Sequence, residues 1–193
     1  MKQPNAVADL DVAKLGAYLE QHVEGFKGLQ EAKKFSGGQS NPTFLLTADS
    51  GRYVMRSKPP GELLKSAHQV DREYRVMAAL APTNVPVPKM LHLAPDGEES
   101  PIGRMFYVME YLEGRVLWDP RLPELDPEQR FLTYDAMNEA LAALHDVDVA
   151  AVGLESFGRP GSYYERQFSR WSKNYWASET ETHQDMNEVG QRQ

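Results

Sequence analysis

Cysteine is absent from the 193-residue chain. That excludes disulfides, thiolate nucleophiles and cysteine-based zinc sites, so any metal would have to be held by oxygen or histidine. Long apolar runs are missing too: none approaches the ~20 residues needed to cross a bilayer. The opening MKQPNAVADLD also lacks the basic-then-apolar order of a secretory signal. A soluble, cytoplasmic protein with no membrane contact is expected. Basic charge is in short supply, because 21 Lys and Arg face 28 Asp and Glu, leaving a net charge of −7 with the acidic excess after residue 112. An acidic chain without a basic stripe argues against duplex nucleic acid, where phosphate neutralisation supplies most of the affinity. Small ligands or proteins are the expected partners. Aliphatic residues run out near the end, where Val189 stands alone between Ser178 and Gln193, so that stretch cannot build a core element by itself.

What is present is the ordinary globular mixture, 41% apolar and 25% charged, enough for a sizeable core. Val12, Leu15, Leu19 and Val23 recur at helical spacing, with Asp9 or Asp11 as N-cap and Gly25 as stop. This predicts a helix over 11–24. β-formers and turn residues then predict strands over 29–35, 43–47, 52–56, 90–93 and 106–112. Between the third and fourth strands, Val70, Tyr74, Met77 and Leu80 place one face of a helix over 63–80, closed by Pro82. Two more helices are expected over 128–145 and 163–176. One helix, five strands enclosing one helix, then helices is an α+β order.

The connection between the first two strands is Ser36-Gly37-Gly38-Gln39-Ser40-Asn41-Pro42. A glycine pair there can simply be a hairpin turn that needs positive φ. It can also be a phosphate cradle, in which backbone N–H groups turn toward an anion with no Cβ in the way and Ser36, Ser40 and Asn41 add small polar donors. The second reading needs a cation on the next strand. Arg56 and Lys58 are both available, two residues apart and so able to project to one side of the sheet. It gains further from Glu73 on the following helix, whose carboxylate could hold either cation as an ion pair and aim it at phosphates.

With these residues the chain resembles the amino-terminal lobe of the kinase-like fold. The likeness is to the branch of aminoglycoside- and choline-type small-molecule phosphotransferases, and in particular to the phosphotransferase domain fused to acyl-CoA dehydrogenase domains in some animal proteins. The likeness is carried by the blocks FSGGQSNPTF (35–44), YVMRSKPPG (53–61), REYRVM (72–77), FYVMEYLEG (106–114) and LAALHDVD (141–148), and runs from about residue 28 to 177. It implies a five-stranded antiparallel sheet with one packed helix, preceded by a helix and followed by the first helices of an incomplete helical lobe. The implied division is a nucleotide-binding lobe over 1–112, a hinge and linker over 113–127, a partial helical lobe over 128–177 and a polar tail over 178–193.

The resemblance also implies an ATP site. Ser36, Gly37, Gly38, Gln39, Ser40 and Asn41 would cover the phosphates, with Arg56, or Lys58 as alternate, contacting them and Glu73 as its helix partner. Met109 would gate the adenine pocket, with the Glu110 carbonyl and Leu112 amide as edge contacts. Mg2+ and a small-molecule hydroxyl acceptor, hydroxyacyl-CoA-like or another metabolic alcohol, are implied alongside. The fold's catalytic His-Gly-Asp-x-x-x-x-Asn loop and its later metal-binding Asp-Phe-Gly or Asp-Trp-Glu are missing from the 193 residues. His183-Gln184-Asp185 and His145-Asp146-Val147-Asp148 fail the spacing, because Gly190 and Gly153 stand where Asn is required. The sequence therefore reads as truncated and inactive alone, without a catalytic residue or metal ligand. Two other readings compete: a non-catalytic kinase-like module for nucleotide or protein binding, and an α+β protein with an accidental glycine hairpin.

Overall fold

The computed structural model describes residues 10–36, 40–61, 68–158 and 161–178. Two compact units divide the chain, Met1–Val152 and Gly153–Gln193.

The first unit opens with α1 (Val12–His22), whose N-cap is Asp11, its carboxylate accepting from the Lys14 N–H at 2.9 Å. β1 (Leu29–Lys34), β2 (Thr43–Ala48) and β3 (Gly51–Ser57) follow, then α2 (Val70–Leu80), β4 (Met90–Ala94) and β5 (Phe106–Glu110). The five strands form one antiparallel sheet in the order β1-β2-β3-β5-β4. The α+β architecture expected from the sequence is therefore present.

Period-two alternation splits the sheet into two differently furnished faces. Phe44, Leu46, Met55, Phe106 and Val108 face α1 and pack with its Leu15 and Leu19 in a single buried cluster. α1 sits so close to the sheet that a Cβ on Gly16 would meet the Leu29 Cβ at 3.1 Å. α2 packs on the opposite face, against β4 and β5.

Several boundaries differ from those expected, three of them as follows. α2 begins at Val70, not near residue 63: His68 carries a left-handed backbone (φ 59) and Gln69 is not helical. Residues 62–67 lie outside the described residues. β5 ends at Glu110, not Leu112, since its last partner on β3 is Tyr53. Beyond it the Arg52 guanidinium lies over the Tyr111 ring, 4.4 Å from the centroid. β1 stops at Lys34, one residue short.

α3 (Pro127–His145) completes the described helices of the first unit. Asp126 and Gln129 form a capping box with Pro127 at the first helical position. α3 buries none of its residues, and Phe131, Leu132, Met137, Leu141 and Leu144 are all exposed. In the second unit α4 (Tyr163–Ser178) is the described helix. No described helix is long and apolar enough to cross a membrane.

Candidate functional site

The site begins as a row across three strands. Thr43 on β2 pairs with Arg56 on β3, which pairs with Tyr107 on β5. Cross-strand partners share a face, so all three side chains lie on the face that α2 covers. One step along each strand, Phe44, Met55 and Val108 form the matching row on the α1 face.

Glu73 descends from α2 onto this row. Its Oε2 accepts from Arg56 Nε at 2.7 Å and from the Tyr107 hydroxyl at 3.0 Å. Its Oε1 accepts from Asn41 Nδ2 at 3.0 Å and from an Arg56 terminal nitrogen at 3.4 Å. Four donors saturate one carboxylate. The other terminal nitrogen of Arg56 donates to Thr43 Oγ1 at 3.0 Å, and the Thr43 hydroxyl donates to the Asn41 carbonyl at 3.2 Å. The ion pair is only partly covered, with side chains 30% and 34% exposed. Tyr107 is buried, and burial first, then the Glu73 carboxylate, push its phenol well above its ordinary range. It therefore stays a protonated donor.

These contacts use three of the five N–H bonds of the guanidinium. One N–H on each terminal nitrogen has no partner among the described residues. Arg56 is thus held by Thr43 and Glu73 with two N–H donors left over.

Lys58 is not part of this set. Its ammonium pairs with Asp96, in the turn between β4 and β5. That hydrogen bond first, aided by the Met105 N–H at 2.6 Å, holds the Asp96 carboxyl below its ordinary value. Of the two cations open in the sequence, Arg56 is the one that Glu73 holds. The side chains of Ser36 and Ser40 are exposed, whereas Asn41 is 5% exposed and its amide is committed to Glu73 and His68. Gly37, Gly38 and Gln39 lie outside the described residues.

At the other end of β5, Met109 is partly buried between Val54 and Met90, and Leu112 is exposed. The Glu110 N–H donates to the Lys89 carbonyl at 3.0 Å. The Lys89 N–H goes to the Glu110 side-chain Oε1 at 2.8 Å, so it does not occupy the Glu110 carbonyl. Sequence reasoning missed Tyr107, Thr43 and His68. The signal for the first two was register: both lie opposite Arg56, and Thr43 is thirteen residues from it across a hairpin.

Among the described residues no group of three or more His, Asp or Glu is placed to hold a metal ion.

Comparison with known proteins gives the chain a family. A family model described as the phosphotransferase enzyme family matches residues 31–191. The chain is 51% identical over 162 residues to probable acyl-CoA dehydrogenase IBR3 of Arabidopsis thaliana, covering 81% of this chain and 19% of that protein. It is 45% identical over 167 residues to acyl-CoA dehydrogenase family member 10 of Mus musculus, covering 84% and 15%. Family member 11 of Homo sapiens is 43% identical over 180 residues, covering 91% and 22%. The chain thus spans about a fifth of the length of these relatives. The crystal structure of a candidate aminoglycoside phosphotransferase from Ralstonia eutropha superposes with a TM-score of 0.75 at 50% identity, covering 90% of this chain and 50% of that one. With the glycine-loop, strand-cation and helix-glutamate blocks inside the matched residues, the chain belongs to the phosphotransferase enzyme family and has the α+β fold of half of such a structure.

Proposed function

We propose that these residues form the ATP-holding part of a phosphotransferase that moves a γ-phosphoryl group to the hydroxyl of a small molecule. The observation that carries the reading is Arg56: clamped by Glu73 and Thr43, it keeps two N–H donors for phosphate oxygens. In such chemistry the protein supplies position and electrostatics more than covalent steps. A guanidinium fixed in advance needs no reorganisation when a phosphate arrives. ATP would supply the transferable group. Ser36 to Ser40 would cover its phosphates with backbone N–H groups, Met109 would flank the adenine, and the Glu110 carbonyl and Leu112 amide would meet its edge.

Lys58, held by Asp96, is the weaker candidate for phosphate contact. The sheet lobe, 1–112, would hold the nucleotide, with 113–127 as hinge and 128–177 as the start of a helical lobe. The exposed apolar side chains of α3 would be covered by the other half of the fold or by a partner protein; the match to half of the solved structure supports this. The acceptor hydroxyl, hydroxyacyl-CoA-like by kinship with the acyl-CoA dehydrogenase relatives, would be bound and activated by groups outside these 193 residues. So would Mg2+. Nucleotide binding without transfer is therefore expected of this chain by itself.

Calorimetry with Mg-ATP tests the reading. Measurable binding is expected for the 193-residue chain, with loss of at least about tenfold in Arg56→Ala, equivalent to a charge-assisted hydrogen bond or two. Equal affinity of the two proteins would overturn the assignment of Arg56, and steady ATP-dependent phosphorylation of any small alcohol would overturn the expectation of inactivity.

A further inference from the structure

Asn41 holds a position that phosphate contact does not explain. It is 5% exposed, and a buried amide has to satisfy both of its ends. One end faces Glu73, which as a carboxylate only accepts, so the group directed at it at 3.0 Å is the Nδ2 amine. The other end is then the oxygen, facing His68 Nδ1 at 2.8 Å. That nitrogen must carry a proton. The chain of donors runs from His68 to Asn41 to Glu73, and each orientation follows from the one before.

The two anchors come from different elements. Asn41 leads into β2, whereas His68 stands two residues before α2 and has φ 59. A left-handed backbone is unfavourable for a non-glycine residue and persists when its surroundings over-determine it. The Val70 N–H donates to the His68 carbonyl at 3.0 Å, so this turn also sets where α2, and with it Glu73, begins. Asn41 reaches Arg56 by a second path as well, through its own carbonyl, which accepts from the Thr43 hydroxyl that in turn accepts from Arg56. Both supports of the guanidinium pass through one residue.

We infer that Asn41 is a positioning residue: by bonding Glu73 through one end of its amide and His68 through the other, it fixes the carboxylate that aims Arg56. It acts through Glu73 and not on the nucleotide. Its consequence for affinity rests on the reading of Arg56 as a phosphate contact, whereas its consequence for Arg56 itself does not.

Asn41→Asp tests this with almost no change of shape. It replaces the Nδ2 donor to Glu73 by an acceptor, so that two oxygens face each other where one hydrogen bond stood. The groups facing Glu73 are Arg56 from β3, Tyr107 from β5 and residue 41, with His68 behind residue 41. Two readouts are followed, the exchange rate of the Arg56 Nε–H by 15N NMR and the affinity for Mg-ATP by calorimetry. In the parent chain the Nε–H should be protected by its bond to Glu73. In Asn41→Asp protection should be lost, with affinity falling about tenfold.

An Asn41→Asp protein that matches the parent in both readouts would overturn the inference. If the parent binds no Mg-ATP, the nucleotide reading fails and the Nε–H exchange alone decides the role of Asn41. Should Asn41→Asp fail to fold, the partly exposed His68 decides. His68→Ala should deprotect the Arg56 Nε–H and His68→Gln, which keeps a donor, should restore it; an unchanged signal in His68→Ala would overturn the inference equally.

Discussion

Met55 and Arg56 are neighbours on one strand and occupy opposite kinds of solvent. Met55 is fully buried among Leu19, Phe44 and Phe106 on the α1 face, while Arg56 stands in a polar row on the α2 face with Thr43, Tyr107 and Glu73. The apolar face is held by area removed from water, a non-directional force of roughly 25 cal/mol per Å2. The polar face is held by donors and acceptors that must match one by one, so the loss of one partner strands another. One sheet thus keeps stability and chemistry on separate sides, one residue apart in sequence. The two faces should fail differently when cut.

The deepest break belongs to the apolar side. Phe106→Ala removes a fully buried ring and should cost about 3–5 kcal/mol in urea unfolding, while nucleotide affinity of the protein that remains folded changes little. Gly28→Ala should follow, because Gly28 has φ +62 and an added Cβ would lie 2.0 Å from Asp49 Oδ2. A loss of about 1–3 kcal/mol is expected by the same assay. Since Gly28 is distant from the polar row in the sheet, a selective loss of nucleotide binding in this variant would blur the division.

Tyr107→Phe sharpens the comparison from the polar side. It deletes one of the four donors to Glu73 and leaves the ring, so about 1 kcal/mol of stability should be lost, with a several-fold weaker Mg-ATP affinity by calorimetry. Because burial keeps the phenol protonated throughout the accessible range, the effect should be independent of pH.

The smallest effect is a pH slope on the apolar side. His92 shares a hydrogen bond with the Tyr18 hydroxyl at 3.0 Å, and burial first, then the nearby His22, lower its pKa from 6.5. The unfolded chain therefore takes the proton first as the pH falls, so stability is full above about pH 6.5 and declines below it until the folded imidazole protonates. Urea unfolding at about pH 7.5 and about pH 5.5 should show a smaller difference in His92→Gln than in the parent. An identical difference would remove His92 from the account.

Much of the fold was legible in the chain. The spacing of Leu15, Leu19 and Val23, the β-formers of the five strands and the capping residue Asp11 are local signals, read through the 3.6 and 2.0 periods of helix and strand. That a strand cation and a helix glutamate stand ready to pair was legible as well, and so was the family. The beginning of α2 was not, because a left-handed His68 interrupts a helical pattern that continues through it in sequence.

The amino-acid sequence by itself determined which elements form, which of their faces are apolar, and that a cation and a carboxylate stand ready for each other. Only the tertiary structure decided that Arg56 and not Lys58 meets Glu73, that Tyr107 and Thr43 complete the row, and that Asn41 ties the row to His68. The reason is physical. Periodicity assigns a side chain to a face, but the register between strands and the landing point of a helix on the sheet select its partner, and both depend on residues tens of positions apart.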